Sequence, residues 1–298
     1  MNINKLIDFL RCPYCLSDAL SLDSNKIICV GCGASFDVIE DVPIMMKKEN
    51  LCRQETSQRE WFNRHYSEFS KEEYKLENWR LSMLERIFGV SFKASVSRYL
   101  DIGCGATGYT VIEAAKRNGW CSFGADISIE AMRRAQHLAK KQGVGDLTGF
   151  VVCSAQNLPF KPQSLDYVSA ISVLEHIEDD RKVIQGLYNI TADNGYAYIC
   201  VPNTYRRIWP FLWPVYLYLD HKIGHKRHYS IEALNEKMGA NNCFELEKVF
   251  YNGHLIKLWQ LVLDKFKLVD NGCWWKMEKK DINQCARGVQ LNAIYRRK

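Results

Sequence analysis

No stretch of this 298-residue chain is apolar for long enough to cross a bilayer. The best candidate, Ile208 to Leu219, has twelve residues, two of them prolines, where a spanning helix needs about 20. Contact with a membrane surface through 208–219 is all it allows. No internal period marks a solenoid. The opening MNINKLIDFLRCPYC lacks an apolar core and a small-residue cleavage site, so it does not read as a secretory leader. At 47% apolar and 25% charged, the composition is that of an ordinary globular protein, not a disordered one.

Cysteine, by contrast, is plentiful. Twelve cysteines without a leader suggest thiols or metal ligands in a reducing, cytoplasmic compartment. The net charge of +6 is uneven. Residues 1–50 carry five Lys/Arg and seven Asp/Glu, a net of −2, so the remainder carries +8. A mildly basic body is weak evidence for a nucleic-acid partner.

CPYC at 12–15 and CVGC at 29–32 give the spacing C-x2-C-x13-C-x2-C. Two such pairs, each on a tight turn, can close a tetrahedral thiolate site, which suits zinc. With Cys12, Cys15, Cys29 and Cys32 all coordinating, no position is left for water, so the expected zinc is structural. Gly31 and Gly33 are expected to provide the freedom the second turn needs. SLDSNKIICV between the pairs reads as a hairpin. About fifty residues build little core, so metal would supply much of the folding energy. With its tail FDVIEDVPIMM, the segment resembles the Trm112-like zinc ribbons, some of which are free partners of methyltransferases.

Residues 51–94 read as a helical linker and cofactor lid. Trp61, Phe62, Tyr66 and Phe69, then Leu81, Leu84, Ile87 and Phe88, recur at helical spacing and predict two helices ending at Gly89.

SRYLDIGCGATGYTVIEAAKRNG is the most informative segment. An apolar strand, Tyr99 to Ile102, runs into Gly103, Gly105 and Gly108. A helix from Tyr109 to Asn118 follows and stops at Gly119. Strand, glycine turn and helix open a doubly wound nucleotide-binding sheet. The next strand ends at Asp126, 18 residues after Gly108, near the distance expected of a carboxylate that holds ribose hydroxyls. A nicotinamide dehydrogenase is the rival for this pattern.

YLDIGCGATG, GADIS, LPF, LDYVSAISVLEHI and GYAYICVPN together resemble the class I S-adenosylmethionine-dependent methyltransferases, nearest the small-molecule branch that includes ubiquinone-type and sugar methyltransferases. The resemblance spans 95–298. It implies an α/β fold, a doubly wound Rossmann-like methyltransferase sheet behind a small N-terminal β zinc ribbon. It places Gly103, Cys104, Gly105, Gly108 and Tyr109 around the methionine end of S-adenosylmethionine, with Asp101 steadying the loop. Asp126 would grip the ribose and Ile127 pack on the adenine. Ser154 stands where relatives often have an adenine-reading Asp, so Ser154 or the Ala155 backbone takes that place. Ser172 and Val173 would line the cofactor's other side.

His176, in the EHI turn, is either a general base or a structural side chain. GHKRHYS, residues 224–230, matches a lid segment of similar methyltransferases, with Ser230 as helix N-cap. In an acceptor lid over 203–230, His225 and Arg227 would meet the acceptor. Lys222, Lys226 and Arg227 count against a metal among His221, His225 and His228. The aromatic run IWPFLWPVYLYL would wall a pocket for an apolar acceptor, or else seal a core or a homodimer contact.

The expected activity is methyl transfer, chiefly to oxygen, onto a small aromatic, sugar or lipid-linked acceptor. The alternative is an RNA methyltransferase whose ribbon binds nucleic acid or a partner, and the ribbon's negative charge disfavours nucleic acid.

Overall fold

The computed structural model describes residues 1–67, 78–89, 97–253, 276–277, 279–282 and 286–298. After a short helix α1 (Ile3–Ile7), the strands β1 (Leu20–Asp23), β2 (Lys26–Cys29), β3 (Ser35–Ile39) and β4 (Val42–Pro43) form one antiparallel sheet in chain order. The expected hairpin is β1–β2, with Leu20 opposite Cys29. Ile27, Cys29 and Phe36 point inward and alternate with more exposed neighbours, the period-2 pattern of a half-buried sheet.

Helices α2 (Arg53–Ser67) and α3 (Asn78–Phe88) are the two expected in the linker. Gly89 follows α3, and Leu84 and Ile87 are buried as their spacing implied. Phe69 lies outside the described residues.

The remaining elements are β5 (Arg98–Ile102), α4 (Tyr109–Asn118), β6 (Cys121–Asp126), α5 (Ile129–Lys141), β7 (Thr148–Val152), β8 (Leu165–Ile171), α6 (Asp180–Ile190), β9 (Thr191–Pro202), α7 (Trp213–Ile223), α8 (Ile231–Met238), β10 (Phe244–Asn252) and β11 (Gln290–Arg297). The large sheet has the order β10-β11-β9-β8-β5-β6-β7. Strands β5, β6 and β7 are parallel, and β11 runs antiparallel to both β9 and β10. Strand order reverses beside β5, where open α/β sheets bind ligands at the strands' carboxyl ends.

Local chemistry places each helix. Ser128 caps α5, its hydroxyl accepting from the Ala131 amide at 3.2 Å. Gly119 ends α4 in a left-handed conformation at φ 68°, and its amide returns to the Ala115 carbonyl at 3.0 Å. In α7, Pro214 sits in the first turn, where a missing N–H costs nothing, and left-handed Gly224 closes the helix. Ser230 caps α8 as expected, accepting from the Ala233 amide.

The chain forms two compact units whose borders do not follow the motifs. The first comprises Met1–Tyr74, Lys93–Ser169 and Gln185–Gly195, and the second Lys75–Phe92, Ala170–Ile184 and Tyr196–Lys298. In the first unit, Val42 of the N-terminal sheet shares a hydrophobic core with Val111 and Ile112 of α4, Met132 and Ala135 of α5, and Phe150 and Val152 of β7. Past β4 the chain runs along edge strand β7: Ile44 bridges Val152, whose carbonyl accepts from the Met45 amide at 2.8 Å. The N-terminal sheet therefore covers an edge that would otherwise expose unpaired backbone.

Gly124 shows how tightly β6 is packed. A Cβ there would come within 2.7 Å of both Cys104 Sγ and Phe150 Cδ1. Gly124→Ala is expected to cost about 1–3 kcal/mol, the usual range for overpacking, read as a lower midpoint in chemical denaturation.

Candidate functional site

In the first unit, the ligand atoms of Cys12, Cys15, Cys29 and Cys32 all lie within 4.8 Å of one another. Cys12 Sγ is 3.7 Å from Cys32 Sγ, and Cys15 Sγ is 3.5 Å from Cys29 Sγ. Tetrahedral zinc with sulfur ligands at about 2.3 Å sets neighbouring sulfurs about 3.8 Å apart, so the group fits that ion. The two turns are built alike. The Leu16 amide bonds the Cys12 carbonyl and the Gly33 amide the Cys29 carbonyl, and both residues are left-handed, at φ 60° and 70°. Only Gly33 has the backbone freedom expected of both glycines. Gly31 is small for a different reason: a Cβ there would meet Ser17 Cβ at 3.0 Å.

The glycine loop leaves β5 with Gly103, Gly105 and Gly108 at positive φ. Side chains are barred here by space as well as by dihedral, because a Cβ on Gly108 would lie 2.9 Å from Ala135 Cβ. The side chain of Cys104 is buried, with Sγ 3.9 Å from Met132 Sδ, so only its backbone faces outward from the loop. Tyr109 opens α4 behind the loop.

Asp101 and Asp126 divide the work otherwise than expected. Asp101 meets hydroxyls and no loop amide: Thr110 Oγ1 donates to Oδ2, and Ser169 Oγ to Oδ1 at 2.6 Å. It ties the first turn of α4 to the sheet. Burial pushes its carboxyl up to about 7 against these bonds, and the charge of Asp126 adds to the rise. Asp126 instead holds the loop. Its Oδ2 accepts from the Gly105 amide at 3.1 Å and its Oδ1 from the Ser128 amide at 3.0 Å.

Unfolded Asp101 would titrate at 3.8 but keeps its proton to about 7 when folded. Between those values the unfolded chain binds fewer protons, so stability should fall as pH rises through the window. Asp101→Asn should flatten the slope of Tm against pH from about 4 to 7.

Ser154 follows β7, and its buried hydroxyl donates to Glu55 Oε1 of α2. The other oxygen of Glu55 accepts from the Cys52 amide at 3.0 Å. Further along α2, Asn63 Oδ1 accepts from Ser128 Oγ at 2.7 Å, and the Tyr66 hydroxyl stands 3.3 Å from where a Gly105 Cβ would be. Helix α2 thus meets each of the three loops that follow β5, β6 and β7. Ile127 and Ala155 are half-buried on two of those loops.

The second unit holds Ser172, Val173, His176, His225 and Arg227. Ser172 is exposed and left-handed at φ 54°, and its amide bonds the Cys200 carbonyl. His176 and His225 meet edge to face with ring centroids 4.9 Å apart. Burial, and then the neighbouring His225, lower His176 to about 4, so it is neutral near pH 7. His225 Nδ1 lies 2.7 Å from Asp220 Oδ1, and His228 Nε2 lies 2.7 Å from Asp220 Oδ2. Tyr205 also donates to Asp220. Burial raises the Asp220 carboxyl, but the Tyr205 and His228 bonds outweigh it and hold it below the usual range.

Arg227 turns away from this group. It pairs with Asp180 at 2.9 Å and donates to the Glu178 carbonyl at 2.7 Å. Tyr229 and Lys237 also bond Asp180, which makes Arg227 part of a bracing network rather than a side chain open to an acceptor. His221 is exposed and belongs to neither histidine cluster. Glu55, Asn63 and Asp220 were not legible as site residues. Glu55 and Asn63 are an acid and an amide in a polar helix, Asp220 is the one acid of an aromatic helix, and only their partners in the fold mark them.

Residues 100–199 match the family described as methyltransferase domain. Norajmaline N-methyltransferase of Rauvolfia serpentina is 35% identical over 111 residues, 37% of each chain. The 27-O-demethylrifamycin SV methyltransferase of Amycolatopsis mediterranei (strain S699) is 31% identical over 163 residues, 55% of each chain. This chain therefore spans 37% to 55% of the length of these curated relatives. Among solved structures, geranyl diphosphate C-methyltransferase from Streptomyces coelicolor A3(2) superposes with a TM-score of 0.57 at 13% identity, covering 83% of this chain and 98% of that one. MccD protein superposes at 0.55 with 19% identity, covering 74% of this chain and 99% of that one. Segment 100–199 is thus similar to a methyltransferase domain, and the sheet that holds it has the Rossmann-like fold of these solved structures.

Proposed function

We propose that this chain is an S-adenosylmethionine-dependent methyltransferase acting on an oxygen of a small aromatic, sugar or lipid-linked acceptor. The observation that carries the cofactor assignment is Asp126, fixed by two backbone amides at the end of β6 and bonded to the glycine loop. A carboxylate has about four lone-pair sites, so capacity remains for two ribose hydroxyls. The adenine side falls to Glu55 and Ser154: α2 supplies the carboxylate that β7 lacks. The bound cofactor supplies an electrophilic methyl on sulfur, and the protein's task is alignment and care of one proton.

The acceptor's hydroxyl is assigned to the cluster of Glu175, His176 and His225, with Asp220 orienting His225. The aromatic segment supports an apolar acceptor. Phe211, Trp213, Val215, Leu217 and Tyr218 are each more than a third exposed, the largest value being 65% for Tyr218. No helix among the described residues is long and apolar enough to cross a membrane. RNA is the disfavoured acceptor, because residues 1–50 carry a net charge of −2 and phosphate contacts need Lys and Arg. The four cysteines are assigned one structural zinc in a Trm112-like ribbon, supported by their sulfur spacing.

His225→Ala should lower methyl transfer at least about a hundredfold, the range of positioned proton handling. S-adenosylhomocysteine affinity, which the first unit provides, should be unchanged. Full turnover in this variant would remove the acceptor assignment.

A further inference from the structure

Glu175 lies fully buried in the second unit, and neither of its carboxylate oxygens has a partner at full hydrogen-bond geometry among the described residues, with the Ser172 side chain near enough to favour its charged form. A bare buried carboxylate is costly unless it is protonated, paired or bound to a metal. Its surroundings suit the last. Ligand atoms from Glu175, His176 and His225 all lie within 4.8 Å of one another, and His225 Nε2 is 4.0 Å from Glu175 Oε1.

Each imidazole is held from behind. The Asp220 carboxylate lies on His225 Nδ1 at 2.7 Å, and the Gly224 backbone bonds His176. A proton fixed on one ring nitrogen leaves a lone pair on the other. A carboxylate or carbonyl behind the ring is how metal-binding histidines are commonly oriented. Two of the cationic side chains that argued against a metal here have other partners. Arg227 pairs with Asp180, and Lys226 lies 4.0 Å from Glu178.

We propose that Glu175, His176 and His225 bind one first-row divalent cation of the zinc, cobalt or iron(II) class, with Asp220 as the outer carboxylate. Two imidazoles and one carboxylate leave open positions, unlike the closed thiolate group of the ribbon. An acceptor hydroxyl would fill one of them. This role, unlike the site itself, rests on the methyltransferase reading. A hydroxyl on the cation loses its proton to water more readily.

The test is titration of the full chain, carrying one equivalent of zinc for its ribbon and no more, with Co2+, followed by visible absorption. One saturable equivalent is expected, with the weak bands of a nitrogen and oxygen site and no thiolate-to-cobalt charge transfer. Glu175→Gln and His225→Ala should each weaken it at least tenfold, and Asp220→Asn about tenfold, as outer-shell losses do. All three should keep wild-type S-adenosylhomocysteine affinity, which verifies folding. If Glu175→Gln does not fold, His225→Ala decides. Thiolate bands alone, no saturable binding, or unchanged affinity in the folded variants would overturn the site. Cobalt binding without S-adenosylhomocysteine binding would keep the site and reject the methyltransferase reading.

Discussion

Asp126→Ala is expected to lower affinity for S-adenosylhomocysteine at least about a hundredfold, or ~2.7 kcal/mol. Two effects combine. Hydrogen bonds to a charged group contribute about 1.5–3 kcal/mol each, and the proposed ribose contacts would both be lost. The Gly105 and Ser128 amides would also lose their acceptor, so the glycine loop and the cap of α5 would relax together. Asp126→Asn keeps one carbonyl oxygen and should fall between the two. Isothermal titration of the three proteins decides it, and equal affinity for wild type and the Ala variant would reject the cofactor site.

Loss of the ribbon metal should act well beyond the ribbon. Cys29→Ser breaks the thiolate group, and a small sheet without its ion has little else to hold it. Val42 would leave the core it shares with α4, α5 and β7, and the Met45 bond to Val152 would open. Thermal unfolding should therefore move by much more than the ~1 kcal/mol typical of a point change, and cofactor affinity should fall with it. Metal analysis and thermal denaturation of wild type and variant provide the check. Zinc-free protein with an unchanged Tm would defeat the assignment.

What was legible in the sequence was local. The paired cysteines, the turn at Gly103 to Gly108, the stop at Gly119 and the cap at Ser230 depend on neighbours within a few residues, and the structure has each in place. What was not legible depends on distant partners. Glu55 and Ser154 meet across 99 positions, and nothing near Glu55 distinguishes it from Glu60, the other acid of its helix. Glu175 stood in plain view within LEHI, but its burial beside His176 and His225 is a property of the packed fold. The pairing of Arg227 with Asp180 was hidden for the same reason, since that partner lies 47 positions away on α6. Strands β10 and β11 carry no glycine turn or motif, and only pairing with β9 makes them part of the sheet.

Because the first unit draws on Met1–Tyr74, Lys93–Ser169 and Gln185–Gly195, its last piece is synthesised well past the middle of the chain. The ribbon and the glycine loop emerge from the ribosome early yet wait for α6 and the start of β9. At about 5–20 residues per second, that wait lasts seconds for a nascent chain with exposed apolar strands. Zinc capture by the four cysteines needs only the first 32 residues. A metal-closed ribbon formed at once could shield its own apolar face during that interval, giving the cysteines a co-translational role that equilibrium unfolding would not reveal. Pulse-labelled nascent chains should then become protease-resistant at the N-terminus before they do so near residue 150.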